Sequence, residues 1–240
     1  MFDLTGMTAL VTGASGGIGS AIAKSLVAQG AKVALSGTRE DALKAVAADI
    51  GGETVILPCN LGDGAAVDAL VPSAVDALGG QLDILVNNAA LMVEIVDKPL
   101  IQTDRARFDK GMAVNVWGAL NCAQVVAPYL AERGGGAIVN QVSAGAYPAQ
   151  TFYGVTKIAL HGVTTALATE LGNQNIRVNA IGPGMTKTDA GLALTPEDSP
   201  LVQAISARAP EALFFNVAEW RVIVSSSPRM AAVASDRRVA

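Results

Sequence analysis

The chain predicts an α/β fold of three layers, in which a doubly wound parallel sheet is covered by helices on both faces. Three observations lead there. Short, continuously apolar runs alternate with longer stretches of helical periodicity, the pattern of strands buried on both sides. A glycine-rich turn joins the first apolar run to the first helical stretch. Gly13, Asn87, Ser143 and Pro183 each follow the end of a different run, and in an open parallel sheet those ends gather along one edge, where ligands bind.

The first strand is expected at 8–12, followed directly by Gly13-Ala-Ser-Gly-Gly17-Ile-Gly19 and a helix over 20–29. Strand, glycine turn and helix form a phosphate cradle. Gly13 permits a sharp turn, Gly17 lets backbone approach a pyrophosphate, and Gly19 allows close helix-sheet packing, while the helix start offers unpaired N–H groups and partial positive charge. The second strand, 32–36, ends in Ser36-Gly37-Thr38-Arg39. An acidic side chain here would bond the ribose hydroxyls of NAD and repel a 2′-phosphate. Gly37 holds that place, whereas Thr38 and Arg39 offer a hydroxyl and a guanidinium fork that suits phosphate. NADP(H) is therefore favoured over NAD(H), the other reading of Arg39 being a solvated residue that opens the next helix. Further strands are expected at 54–58, 82–87, 137–142 and 177–181, with helices between them.

Within the helical stretch 151–171, Tyr153 and Lys157 lie four residues apart and share one face. Tyrosine ionises near pH ~10, and a fixed cation within about 4–6 Å stabilises phenolate. The pair thus predicts an acid-base catalyst, although a surface pair with a snorkelling lysine is the commoner arrangement when nothing else supports it.

Composition agrees with one compact enzyme domain over 1–240, since 51% of the residues are apolar and only 4% aromatic, and α/β folds of this length need not divide. A net charge of -4 disfavours nucleic acid and anionic membrane as partners. The N-terminus has neither a basic start nor an apolar core, and no apolar run approaches the ~18 residues of a membrane span, so a cytoplasmic location is expected. Cys59 and Cys122 lack metal-ligand spacing and are expected as reduced, buried thiols. With one histidine, His161, no zinc ligand set can be assembled and no metal is expected.

These motifs, in this order, resemble the short-chain dehydrogenase/reductase family from about residue 4 to about 188, and most nearly its 3-oxoacyl-carrier-protein reductase-type ketoreductases. Residues 12–19 (TGASGGIG) look like the family's cofactor loop, which brings Ser15 and Ile18 into the site beside Gly13, Gly17 and Gly19. Asn87-Asn-Ala-Ala90 looks like its Asn-Asn-Ala-Gly, implying roles for Asn87 and Ala89. Asn115, Ser143, Tyr153 and Lys157 match the catalytic set, and Pro183-Gly184 with Thr188 looks like the segment that closes over the nicotinamide. Asn60 and Leu61 stand where the family contacts adenine. The ten-residue spacing from Ser143 to Tyr153 is shorter than the commonest form and resembles a variant of that loop.

The resemblance implies a Rossmann-like fold and an NADP(H)-dependent oxidoreductase that moves hydride between the nicotinamide and a small-molecule carbonyl or secondary alcohol. Tyr153 would give or take the proton, Ser143 hold the substrate oxygen, Lys157 lower the Tyr153 pKa and bond the ribose, and Asn115 position a water. Alternatives are an NAD-dependent dehydrogenase of a cyclic alcohol, steroid or dihydrodiol, and a dinucleotide-binding paralogue without turnover. Tyr147 and Phe152 either wall the substrate pocket or pack, and His161 is expected in packing or a subunit contact.

After about Asp189 the chain departs from the family. Residues 189–210 suit a substrate lid, whereas 211–240 lack the expected final strand, Thr-Gly-Gln turn and Asp-Gly-Gly ending. A homodimer through the helices near 116–132 and 151–171 is implied. The tetramer interface, which draws on the last strand and helix, lacks its family sequence.

Overall fold

The computed structural model describes residues 3–147 and 149–194, with Asp198 and 215–216 besides. Strands β1 (Thr8–Thr12), β2 (Lys32–Gly37), β3 (Thr54–Pro58), β4 (Ile84–Asn87), β5 (Gly136–Gln141) and β6 (Ile176–Ile181) form one sheet in the order β3-β2-β1-β4-β5-β6. Every pairing in it is parallel. All residues of β1 and β4 are buried, which explains their unbroken apolar character: a strand covered on both faces has no polar side to alternate with.

Helices α1 (Gly17–Ala28) and α2 (Glu40–Ile50) cover one face, where Ile22, Leu26 and Leu43 pack on Ala9, Val11, Ile84 and Val86. Helix α3 (Gly64–Ala77) covers the other, where Val67, Leu70 and Val71 share a cluster with Leu10, Leu85 and Ile138. Neighbouring strand residues thus feed opposite cores, the period-two rule of a pleated strand. The same second face receives α6 (Gly118–Glu132) and α7 (Phe152–Leu171), reached after the short α4 (Val93–Val96), α5 (Arg105–Met112) and a π-helical turn over Ala113–Trp117.

Caps mark several helix starts. Asp63 accepts from the N–H groups of Ala65 and Ala66, Asp104 from that of Arg107, and Thr151 from that of Gly154 at 3.1 Å. Each satisfies donors that the first turn leaves unpaired. The fourth strand begins at Ile84, two residues later than expected, and just before it Asp83 accepts at its carboxylate from Thr8 N at 2.8 Å and from Arg133 Nε at 2.7 Å.

Beyond β6, β7 (Thr186–Lys187) precedes α8 (Asp189–Leu194) and pairs in parallel with β8 (Phe215–Asn216). The expected lid lies outside the described residues except for α8 and Asp198, and the divergent segment 211–240 except for 215–216. Among the described residues no helix is long and apolar enough to cross a membrane, and no three His, Cys, Asp or Glu side chains gather as a metal site.

Candidate active site

The glycine turn is held from below by Asn88. Its Nδ2 donates to the carbonyls of Thr12 at 2.9 Å and Gly13 at 3.0 Å, while Thr12 Oγ1 accepts from the N–H of Asn88 at 3.1 Å and of Ala89 at 3.2 Å. The loop after β4 is thereby locked to the loop after β1, on either side of the point where strand order reverses. Gly13 has φ +65°, and a Cβ there would lie 2.7 Å from Ala89 Cα. At Gly19 a Cβ would come within 2.2 Å of Gly13 O. Gly19 therefore serves packing of helix start against turn, as expected from its spacing. Helix α1 has no side-chain cap and no acid in its first turn, so its leading N–H groups face the cavity with their partial positive charge unspent. A pyrophosphate fits such a start.

A cavity of about 950 Å³ runs along this edge. Ser15, Gly17 and Ile18 line it beside the turn, and Thr38, Arg39, Asn60 and Leu61 line the end beyond β2 and β3. Arg39 bends back over the turn, its Nη2 4.0 Å from where a Gly16 Cβ would stand. No carboxylate among the described residues pairs with it. Gly37 is buried, and a Cβ on it would sit 3.3 Å from Ser15 Oγ, a contact that a small turn of the serine side chain would relieve. Asn60 spends Oδ1 on Gly62 N at 3.0 Å.

Ser143, Tyr153, Pro183, Gly184 and Thr188 line the other end. Ser143 follows β5, its Oγ accepting from Gly145 N at 3.1 Å, and its hydroxyl lowers the pKa of the nearby Tyr153 phenol. Ala144 N donates to Pro183 O at 2.9 Å, which ties the serine loop to the segment after β6.

Lys157 Nζ lies 5.6 Å from the Tyr153 ring centroid, one helical turn below it, as the spacing predicts. The lysine is fully buried, donates to Gln141 O at 2.6 Å and does not line the cavity. Burial pushes its pKa down to about 7 and pushes the Tyr153 phenol up to about 12, against a smaller lowering by Ser143. The expected lowering of Tyr153 by Lys157 is thus absent from this state: desolvation disfavours the charged form of each. Here the phenol is a proton donor.

Besides Lys157, two predicted site residues stand back from the cavity. Asn87 gives Nδ2 to Ala119 O at 3.1 Å and Asn140 Oδ1 at 2.9 Å, beneath the sheet edge. Its structural role is plain, and the amide that meets the cofactor loop belongs to Asn88. Asn115 clamps Leu91 through Oδ1 (2.7 Å from Leu91 N) and Nδ2 (2.9 Å from Leu91 O), and Nδ2 also donates to Thr156 Oγ1 at 3.0 Å. Both amide hydrogens are spent, so a water would have to donate to Oδ1. Phe152 is a core residue stacked on Phe108 with centroids 5.2 Å apart, and Tyr147 is 65% exposed with its ring edge toward His161, so neither walls the cavity. Cys59 and Cys122 are free and buried, the second pushed up to about 12 by burial.

Sequence reasoning missed Asn88, Thr12 and Gln141. The repeated asparagine was visible, but only the strand register shows which amide faces the turn.

A family profile described as enoyl-(acyl carrier protein) reductase matches residues 13–220. An uncharacterised oxidoreductase of Mycobacterium tuberculosis is 41% identical over 201 residues, covering 82% of this chain and 80% of the relative. Among solved structures, a short-chain dehydrogenase from Burkholderia cenocepacia in complex with NADP superposes with TM-score 0.79 and 34% identity, over 90% of this chain and 87% of that one. A 3-ketoacyl-(acyl-carrier-protein) reductase from Brucella melitensis complexed with NADH gives TM-score 0.79 and 30% identity, over 90% and 88%. With the sheet order, the uncapped glycine turn and the Ser143–Tyr153–Lys157 cluster already in place, these likenesses show that the chain belongs to the short-chain dehydrogenase/reductase family of oxidoreductases.

Proposed function

We propose that this protein is an NADP(H)-dependent oxidoreductase interconverting a small-molecule carbonyl and its secondary alcohol, with Tyr153 as general acid and base. The observation that carries the proposal is the phenol of Tyr153 held protonated at the cavity wall, with Ser143 on the same wall and the buried Lys157 behind it. The dinucleotide would be held by the α1 start at its pyrophosphate, by Asn60 and Leu61 at its adenine end, by Thr38 and Arg39 at its 2′-phosphate, and by Pro183, Gly184 and Thr188 at its ring end. When bound it supplies hydride to the carbonyl carbon, or accepts it from the carbinol carbon. As negative charge develops on the substrate oxygen, Ser143 donates a hydrogen bond and Tyr153 transfers its phenolic proton, giving the alcohol. In the oxidative direction the phenolate takes the hydroxyl proton.

The cation matters most at that moment. A phenolate formed beside Lys157 favours the charged lysine, and the charged lysine in turn stabilises the phenolate as the proton leaves. Asn115 positions rather than reacts: it fixes Thr156, the neighbour of Lys157, against Leu91. The preference for the 2′-phosphate rests on Arg39, which no carboxylate among the described residues pairs, and on a glycine at position 37 where an acid would repel that phosphate. The same reading carries a homodimer through α6 and α7, next to which Trp117 and Ile158 stay exposed.

The test is Tyr153→Phe. Turnover of a carbonyl panel with NADPH should fall by at least a factor of about a thousand, within the range of a lost general acid, with NADPH affinity nearly unchanged. Near-normal turnover in the folded variant would sink the mechanism, and a wild type that binds nucleotide but never turns over would favour a non-catalytic paralogue.

A further inference from the structure

The loop from Ser143 to Tyr153 is a braced arch. Ala146 N donates to Ser143 O at 3.0 Å and Ala149 N to Ala146 O at 2.9 Å, and the arch closes where Thr151 Oγ1 accepts from the N–H of Gly154 at 3.1 Å. Ala149 takes φ +46°, a left-handed conformation that an alanine keeps only where its surroundings impose it. Those surroundings are the first turn of α7. A Cβ on Gly154 would stand 3.0 Å from Gly145 O and 3.2 Å from Ala149 Cα, so both limbs of the arch rest on the bare backbone of this one glycine. The two nearest atoms are themselves backbone and cannot swing aside as a side chain would. Gly145 also faces the chemistry: its N–H donates to Ser143 Oγ at 3.1 Å, and Ser143, Gly145 and Tyr153 all line the cavity.

We propose that Gly154 is a positioning residue for the reaction: by carrying no side chain it seats Gly145 so that the Gly145 N–H orients and polarises the Ser143 hydroxyl. The inference rests on the oxidoreductase reading above. A hydroxyl has a single hydrogen to give. With the Gly145 N–H donating into Oγ, that hydrogen points away from its own loop, toward an acceptor in the cavity where the substrate oxygen would lie beside Tyr153. A donor that itself receives a hydrogen bond is a stronger donor. The backbone amide of Gly145 thus acts on the developing negative charge through Ser143 without touching it. Its benefit grows with that charge, so it belongs to the transition state rather than to substrate binding.

The experiment is a double-mutant cycle between Gly154→Ala and Ser143→Ala, read as kcat and KM on the carbonyl that wild type reduces fastest, with NADPH affinity followed by fluorescence titration. Gly154→Ala should lower kcat by about ten-fold, the order of one neutral hydrogen bond, and leave KM and NADPH affinity nearly unchanged. In the Ser143→Ala background, itself slowed by about a hundred- to a thousand-fold, the same substitution should cost less than about two-fold, because the hydroxyl it acts through is gone. A similar loss in both backgrounds would mean that Gly154 serves Tyr153 or the helix alone, and overturns the proposal, as does a Gly154→Ala enzyme at full rate. Should Gly154→Ala not fold, Gly145→Pro carries the same cycle: it deletes the donating N–H in the first turn of the short helical segment Ala144–Ala146, where proline is tolerated. A wild type without turnover, or a Ser143→Ala enzyme at the wild-type rate, refutes the oxidoreductase reading and the inference with it, a result seen before any change at Gly154.

Discussion

Gly19→Ala tests whether the glycine turn is a packed cradle or merely a flexible loop. By helix propensity alone the change should stabilise, since alanine is better than glycine inside a helix by about 1 kcal/mol. The structure reverses the sign. The new Cβ would stand 2.2 Å from Gly13 O and 2.5 Å from Asn88 Nδ2, so turn and helix must part by nearly an ångström. Overpacking of this kind costs about 1–3 kcal/mol, and losing the Asn88 bond to Gly13 O, now 3.0 Å, costs about 1 kcal/mol more. Against the propensity gain, the net loss is about 1–3 kcal/mol, or about 2–12 °C in melting temperature for a domain of this size. Gly162→Ala is the matched control: it too is helical, and nothing lies within 4 Å of its added Cβ, so it should gain up to about 1 kcal/mol. Thermal unfolding and NADPH titration of both variants decide. Nucleotide binding should be lost or severely weakened in Gly19→Ala alone. If that variant melts at or above the wild-type temperature and still binds, the packed-cradle argument is wrong.

Three further outcomes are expected. Arg39→Ala should weaken NADPH by roughly ten-fold or more, as for a charge-assisted phosphate contact, and leave NADH nearly unchanged; equal losses in fluorescence titration would remove the 2′-phosphate assignment. Asn88→Ala should cost about 1–3 kcal/mol through its two lost carbonyl bonds and weaken both nucleotides alike, whereas a variant that binds as wild type would show the clamp to be dispensable. Lys157 has a folded pKa of about 7, depressed below its ordinary 10.5, so between those values the unfolded chain holds the extra proton and stability rises with pH. Relative to Lys157→Met, wild type should therefore gain about 1.4 kcal/mol per pH unit above pH 7 and lose that gain as pH falls through 7. Parallel urea curves for the two proteins from pH 6 to 9 would contradict a depressed lysine.

The sheet was legible because both signals behind it are local. Continuous burial makes a strand apolar along its whole length, and the turn after β1 needs glycine where Gly13 meets Ala89 and Gly19 meets Gly13. Strand limits shifted by at most two residues, most at β4, where Asp83 serves Thr8 and Arg133 across the chain. That pairing links residues far apart in sequence and leaves no periodic trace. The Tyr153–Lys157 juxtaposition was legible for the opposite reason: both partners lie on one helix, so spacing alone fixes it.

What spacing does not fix is which face of a fully buried strand a polar residue uses. Alternation of apolar and polar residues normally reveals the inward face. In β4 it is silent, because Ile84, Leu85, Val86 and Asn87 are all buried. Asn87 therefore could not be told from Asn88, although one turns under the sheet to Asn140 and the other holds the glycine turn. The same silence hid Gln141, whose neighbour Asn140 on β5 takes the opposite face. Charge is subject to a related limit. Spacing placed the Lys157 amine near the phenol, but only the fold shows that both are buried, and burial rather than proximity sets their protonation before the cofactor's charge arrives. A Tyr-x-x-x-Lys helix can therefore hold a reluctant acid in the free enzyme and become an effective one when ligand binding changes the field around it. If so, the pH profile of kcat/KM with saturating nucleotide should report an acid with a pKa below the about 12 of the phenol in the free enzyme.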